Sequence, residues 1–256
     1  MNPTLVFDIE TVPDTRGLTT LYELPPDTPA AEVAEIAFQR RRQQSGGDFL
    51  PQYLHRVLVI SCALRSDEGL RVWSLAGEDE GAIVQRFFDG IEKYTPQLVS
   101  WNGGGFDLPV LHYRGLIHGV TAPRYWDMGE DDREFKWNNY LSRYHTRHLD
   151  LMDLLALYQP RANAPLDELA KLIGYPGKLG MDGSQVWAAY QRGELEAISN
   201  YCETDVVNTY LVYLRFQLMR GQMTHERYQT ECDFVRAHLI KLDQPHWHEF
   251  VAAWGE

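Results

Sequence analysis

Cysteine is scarce in this chain: three residues, Cys62, Cys202 and Cys232, in a length of 256. They are odd in number, widely spaced and form no Cys-x-x-Cys pair, which argues against a disulfide framework or a zinc-thiolate site. Reduced thiols in a cytoplasmic protein are the expectation. Long apolar runs are missing too, so no bilayer-spanning helix is expected and no membrane association. The N-terminus lacks the charged, apolar and small-residue succession of a secretory signal. Positive charge is in deficit, with 24 basic against 36 acidic residues and a net charge of −12. That excludes a protein that coats long stretches of nucleic acid, which needs many phosphate-neutralising side chains. It leaves room for an enzyme that grips a few nucleotides through bound cations. Repeats and low-complexity linkers are absent, and the 44% hydrophobic fraction is that of an ordinary globular chain.

The order of elements suggests one α/β domain. Thr4 to Ile9 reads as a buried strand. A polar, proline-bearing stretch and a helix over Ala30 to Gln44 form an insertion of about residues 13–55. Arg40-Arg41-Arg42 near the end of that helix reads as a solvated helix end, with nucleic-acid contact as the lesser alternative. Arg56 to Leu64 and Leu70 to Leu75 read as a hairpin turning at Asp67-Glu68-Gly69. A helix over Glu78 to Tyr94, a strand over Gln97 to Trp101 and a helix over Leu108 to Ile117 follow. Residues Thr121 to Arg147 show no usable periodicity, and His148 to Tyr158 reads as a helix or a short strand leading into one. A helix over Leu166 to Ile173 precedes a glycine-rich loop, Pro176 to Gly183, after which Ser184 could cap a helix to Gln191. Long helices over Leu195 to Leu218 and Glu226 to Leu239 complete the pattern, the last belonging to a C-terminal helical extension of about residues 221–256.

Chemistry concentrates in three stretches. Asp8 and Glu10 sit two apart at the end of a strand, so their side chains share one face. Hard cations prefer such oxygen pairs, although acidic residues also end strands simply by emerging into solvent. Asn102-Gly103-Gly104-Gly105-Phe106-Asp107 follows the next clear strand. Its glycines permit a tight turn and close approach, while Asp107 could equally be a helix cap and Phe106 a core residue. Tyr201 and Asp205 are four apart on a helix, and Asp205 falls within the apolar stripe of Ile198, Cys202, Thr209, Val212 and Phe216. A carboxylate there needs a basic partner or a metal ion. Converging carboxylates repel one another unless a cation sits between them. Lys178 could reach a phosphate or be merely solvated, and the cluster of His148, Asp150 and Asp153 is explained by helix capping. His246 and His248 suggest no chemistry.

Taken in order, these stretches resemble the DEDD superfamily of 3′–5′ exonucleases. Asp8 and Glu10 match its first motif, Asn102 to Asp107 its second, and Tyr201 with Asp205 the third motif of the tyrosine subclass. Phe7 to Pro13 and the Gly177 to Val186 segment bring the chain closer to stand-alone bacterial proteins related to the exonuclease domain of B-family DNA polymerases. The resemblance implies a ribonuclease-H-like fold, a mixed five-stranded sheet flanked by helices, with extra C-terminal helices. It implies Asp8, Glu10, Asp107 and Asp205 as ligands of two Mg2+ or Mn2+ ions, and Tyr201 as the residue orienting a water. Asn102, Phe106 and Lys178 would contact the 3′ end of a single strand, DNA rather than RNA, with release of nucleoside 5′-monophosphates. The competing expectation is a module of the same fold that binds nucleic acid or a protein partner without catalysis.

Overall fold

The computed structural model describes residues 3–255. Its sheet has five strands in the order β3-β2-β1-β4-β5. Strand β1 (Thr4–Pro13) lies at the centre, antiparallel to β2 (His55–Ser66) and parallel to β4 (Gln97–Ser100). Strand β3 (Gly69–Ala76) pairs with β2 through a two-residue turn, and β5 (His148–Asp150) runs parallel to β4.

Alternation along β1 explains its central place. Leu5, Phe7 and Ile9 enter a core with Phe87, Phe88 and Leu111. Val6 enters a second core with Val206 and Tyr210 on the other side. A strand covered on both faces must be apolar on both, and the two carboxylates at its far end break that rule. The first face is covered by α3 (Glu80–Tyr94) and α4 (Asp107–His118), the second by α9 (Leu195–Met219), the central helix of the domain.

Between β1 and β2, α1 (Thr15–Leu21) and α2 (Ala30–Ser45) pack on each other around Leu18, Val33 and Ala37. The arginine triplet stands at a solvated helix end, Arg40 and Arg42 exposed, and each guanidinium has a local partner. Arg40 lies 4.0 Å above the Tyr22 ring, Arg41 donates to the Phe49 carbonyl at 2.8 Å, and Arg42 pairs with Glu35 at 2.6 Å. The residues between α4 and β5, all of them described, hold α5 (Pro123–Trp126) and a single 3-10 turn. Order there comes from side chains that accept backbone N–H groups. Asp127 takes those of Gly129, Glu130 and Asp132, and Asn138 those of Thr146 and Arg147. Such contacts leave no period in a sequence.

His148 to Tyr158 is the short strand β5 followed by α6 (Leu151–Leu155), capped by Asp150. Helix α7 (Leu166–Leu172) precedes the glycine-rich loop. Ser184 does not cap the next helix. Asp182 accepts the Ser184 N–H at 2.8 Å and caps a 3-10 turn, from which α8 (Val186–Gln191) starts. Past α9, α10 (His225–Leu242) and α11 (Pro245–Ala253) bury Val235, Leu239, Trp247 and Phe250 in the same core as α9. The extension is thus continuous with the domain, and α11 is a helix the sequence pattern did not reveal.

Candidate active site

Strand β4 accompanies β1 only from Thr4 to Val6. Beyond Val6, β1 keeps its β2 neighbour but has no strand on the other side among the described residues. Asp8 and Glu10 lie on β1 past its parallel pairing with β4, at the carboxyl end of the strand, where open α/β sheets bind ligands. The exposed edge is finished by a side chain: the Ile9 N–H donates to Asp107 Oδ1 at 3.1 Å. Asp107 is therefore no cap of its own helix. It is the first residue of α4, buried, and reaches across to β1.

The loop from Ser100 to Phe106 makes this reach feasible. Asn102 has φ +66°, and its carbonyl accepts the N–H groups of Gly105 and Phe106, both at 3.0 Å. A Cβ on Gly105 would stand 2.5 Å from Asn102 Oδ1, so a larger residue there would displace the Asn102 side chain. Asp150 clamps it from below, accepting the Asn102 N–H at 3.0 Å and the Gly104 N–H at 2.9 Å. Asp150 is a cap, as expected, but its second task was not foreseen. Phe106 is half-buried, edge-on to His55 with centroids 5.1 Å apart and 5.4 Å from Phe49. The insertion thus delivers an exposed aromatic ring, Phe49, to the rim of the second motif.

Val6, Asp8 and Glu10 share the face of β1 that looks toward α9. Ligand atoms of Asp8, Glu10 and Cys202 lie within 4.8 Å of one another. Cys202 Sγ is 3.5 Å from Asp8 Oδ2. On the same helix, Tyr201 and Asp205 are both buried. Lys178 is not a solvated lysine: its Nζ is 2.9 Å from Asp205 Oδ2, donates to the Tyr201 hydroxyl and lies 4.8 Å from the Tyr201 ring centroid. A buried aspartate with a basic partner is thus present, but the pairing is incomplete. Asp205 Oδ1 is buried with no hydrogen-bond partner among the described residues. Glu203, between them in sequence, points away to Ser74 Oγ at 2.8 Å and His246 at 3.2 Å.

The electrostatics follow from crowding. Burial of its carboxyl group, then the Asp205 charge, push Asp8 up from 3.8 to about 7, against the opposing pull of Lys178. Glu10 is raised well above the usual carboxylate range by burial and then by Asp8 and Asp205. Asp107 is raised by burial and then by Asp8. Burial also raises Asp205, although Lys178 works against it. The Tyr201 phenol is raised by burial and by the three carboxylates of Asp205, Glu10 and Asp8, so it stays protonated at neutral pH. Burial opposes the Lys178 ammonium, but Asp205, Asp8 and Glu10 outweigh it and hold the lysine charged.

Four carboxylates, one lysine and one orphaned carboxylate oxygen make a site that favours more positive charge than it contains. The carboxylate donors are hard oxygen, which suits a hard divalent cation. Cys202 was legible only as a stripe residue. Burial raises its thiol well above the ordinary value, so it contributes bulk and a weak donor rather than a thiolate.

Comparison with known proteins bears on most of the chain. A family described as predicted 3′-5′ exonuclease related to the exonuclease domain of PolB matches residues 47–254. That stretch begins after Asp8 and Glu10, so the first acidic pair is placed by the fold. A DNA polymerase of Archaeoglobus fulgidus is 26% identical over 159 residues, 61% of this chain and 19% of that protein. The catalytic polypeptide of DNA polymerase epsilon from Saccharomyces cerevisiae is 29% identical over 143 residues, 54% of this chain and 6% of that protein. The chain thus spans less than a fifth of these relatives' length. Among solved structures, the family B DNA polymerase from Pyrobaculum calidifontis covers 85% of this chain and 25% of its own, with a TM-score of 0.52 and 16% identity. This last likeness speaks to the fold alone, a mixed sheet of the ribonuclease-H-like kind, as the motifs led us to expect.

Proposed function

Because the chain belongs to the family of predicted 3′-5′ exonucleases related to the exonuclease domain of PolB, we propose that it hydrolyses phosphodiester bonds at the 3′ end of single-stranded nucleic acid and releases nucleoside 5′-monophosphates. DNA is the proposed substrate because the similar proteins are DNA polymerases. The observation that supports this best is the pair of Asp8 and Glu10 on the face of β1 toward α9, both raised by the charge of Asp205, one of whose oxygens is buried and unpartnered.

In this reading Asp8, Glu10 and Asp205 would hold one divalent ion, and Asp8 with Asp107 would hold a second. When bound, such ions supply Lewis acidity and neutralise charge on the phosphoryl group. The chain's own residues do the rest. Tyr201 keeps its proton and orients a water by hydrogen bonding rather than acting as a base. Glu10, buried beside it, fixes that water from the strand side. Phe106 and Phe49 offer ring faces on which bases stack. Asn102 lines a groove of about 450 Å³ with Gly104, His112, Arg143 and Asp150, along which the strand behind the terminal nucleotide would run.

The test is a 5′-labelled single strand incubated with Mg2+ or Mn2+ and, in parallel, with chelator. A ladder shortening from the 3′ end only with metal, and lost in Asp205→Ala, is expected. Undiminished shortening by Asp205→Ala, or metal-independent binding with no hydrolysis, would overturn the proposal and favour a binding module.

A further inference from the structure

Lys178 stands beside the carboxylates, with its backbone fixed by the loop and its head group paired with Asp205 and Tyr201. Its N–H donates to Asp167 Oδ1 at 2.7 Å. The preceding Gly177 is held at both ends by Asn208 of α9, N–H to Oδ1 at 3.2 Å and carbonyl from Nδ2 at 2.8 Å. Gly177 has φ +70°, and a Cβ there would stand 2.5 Å from Asp167 Oδ1. The loop therefore aims one lysine at Asp205 and Tyr201. Its side chain retains 31% exposure against 6% for Asp205, so the four-carbon stem has a way out that the aspartate lacks.

We infer that Lys178 is a positioning residue that acts as the resident counter-cation of the site: it holds Asp205 and Tyr201 in place by itself and opposes the entry of a divalent ion. An ammonium and a divalent cation a few ångströms apart repel one another, and both draw on the same Asp205 carboxylate. Ion loading is therefore weak until a nucleotide phosphate brings further negative charge. By linkage, the phosphate tightens the ion as much as the ion tightens the phosphate. Lysine suits this task because its charge is compact and its stem flexible. The inference rests on the metal-dependent reading above and adds what sets the affinity of that metal.

The test measures Mn2+ binding by calorimetry at fixed pH, without any oligonucleotide, for the wild type, Lys178→Met and Lys178→Gln, each with and without thymidine 5′-monophosphate. Loss of the charge should tighten Mn2+ by at least about tenfold and shrink the enhancement by the monophosphate. It should also lower the melting temperature in chelator, because the carboxylates lose their lysine. The glutamine variant, which keeps polar contacts to Asp205 and Tyr201, guards against a folding defect of the methionine variant. Lys178→Arg, which keeps the charge, should bind Mn2+ more weakly than either neutral variant. Mn2+ affinity unchanged within about twofold, or weakened, in both neutral variants overturns the inference alone. Absence of Mn2+ binding in every protein overturns it together with the metal-dependent reading.

Discussion

Asp8→Asn should make the metal-free protein more stable while removing its response to metal. Asp8 is raised from 3.8 to about 7, chiefly by burial and then by the Asp205 charge. A shift of about three units disfavours the charged form in the fold by about 4 kcal/mol, since each unit corresponds to about 1.4 kcal/mol. An amide of the same shape avoids that repulsion but still needs hydrogen-bond partners, which leaves a gain of about 2–4 kcal/mol. For a chain of this size the melting temperature should rise by about 5–15 °C at pH 8 in chelator. The sign with pH is fixed by linkage. A carboxyl raised in the fold contributes stability that is complete below its unfolded value, here 3.8, and is lost as pH rises through about 7. The advantage of Asp8→Asn should therefore be largest above pH 7 and should shrink toward pH 4. Comparing the two proteins at each pH cancels the opposite contribution of the buried neutral histidines, His112 and His148, both pushed down to about 4 by burial. With Mn2+ and thymidine 5′-monophosphate both present the advantage should shrink or reverse, because only the wild type keeps the Asp8 carboxylate for the ion. Scanning calorimetry in chelator and in Mn2+ across this range decides the matter. If Asp8→Asn is no more stable than wild type at pH 8 in chelator, the crowding of like charge described for this site is wrong.

Phe49→Ala should weaken a single-stranded oligonucleotide by about 1–3 kcal/mol, the worth of one base–aromatic stack, as read by anisotropy. Hydrolysis of a small nucleotidyl ester with no neighbouring base should be unchanged, and equal affinity of both proteins for the oligonucleotide would remove Phe49 from the substrate path. Asp150→Ala leaves the Asn102 and Gly104 N–H groups without their acceptor. It should cost about 2–4 kcal/mol in denaturant unfolding and loosen the loop before Asp107; an unchanged midpoint would show that water replaces the carboxylate at no loss.

Two of the three acidic stretches were legible because their spacing matches a local period. The interval from Asp8 to Glu10 is that of a strand face, and the interval from Tyr201 to Asp205 that of a helix face. Asp107 was not decidable from spacing, because a cap and a cross-strand acceptor occupy the same place ahead of a helix. What separates them is that β4 leaves β1 after Val6, a property of the sheet rather than of the segment. Lys178 was harder still. Its partners Tyr201 and Asp205 lie more than twenty residues away, and a lysine in a glycine-rich loop looks solvated until the loop is seen pinned by Asp167 and Asn208. The stretch from Thr121 to Arg147 carried no period at all, since its order comes from acceptors such as Asp127 taking backbone N–H groups within a few residues.

A cluster whose charges repel by several kcal/mol persists only if the elements that carry it cannot move apart. Strand β1 is held by β2 along its whole length, from Thr4 opposite Arg65 to Pro13 opposite His55. Helix α9 is pressed onto the sheet from behind by α10 and α11, whose Val235, Trp247 and Phe250 share a core with Tyr210 and Leu214. Glu203 ties the same turn of α9 to β3 through Ser74 and to α11 through His246. Asp107 cannot withdraw without orphaning the Ile9 N–H. The C-terminal helices, far in sequence from every acidic motif but the last, therefore bear on the candidate site through position: they keep the buried face of α9 that carries Tyr201 and Asp205 against the sheet. A chain shortened before Pro245 should keep its sheet yet let α9 recede, and Mn2+ should then raise its melting temperature less than that of the full chain. An equal Mn2+ response would mean that β1 and the loop before Asp107 suffice to assemble the site.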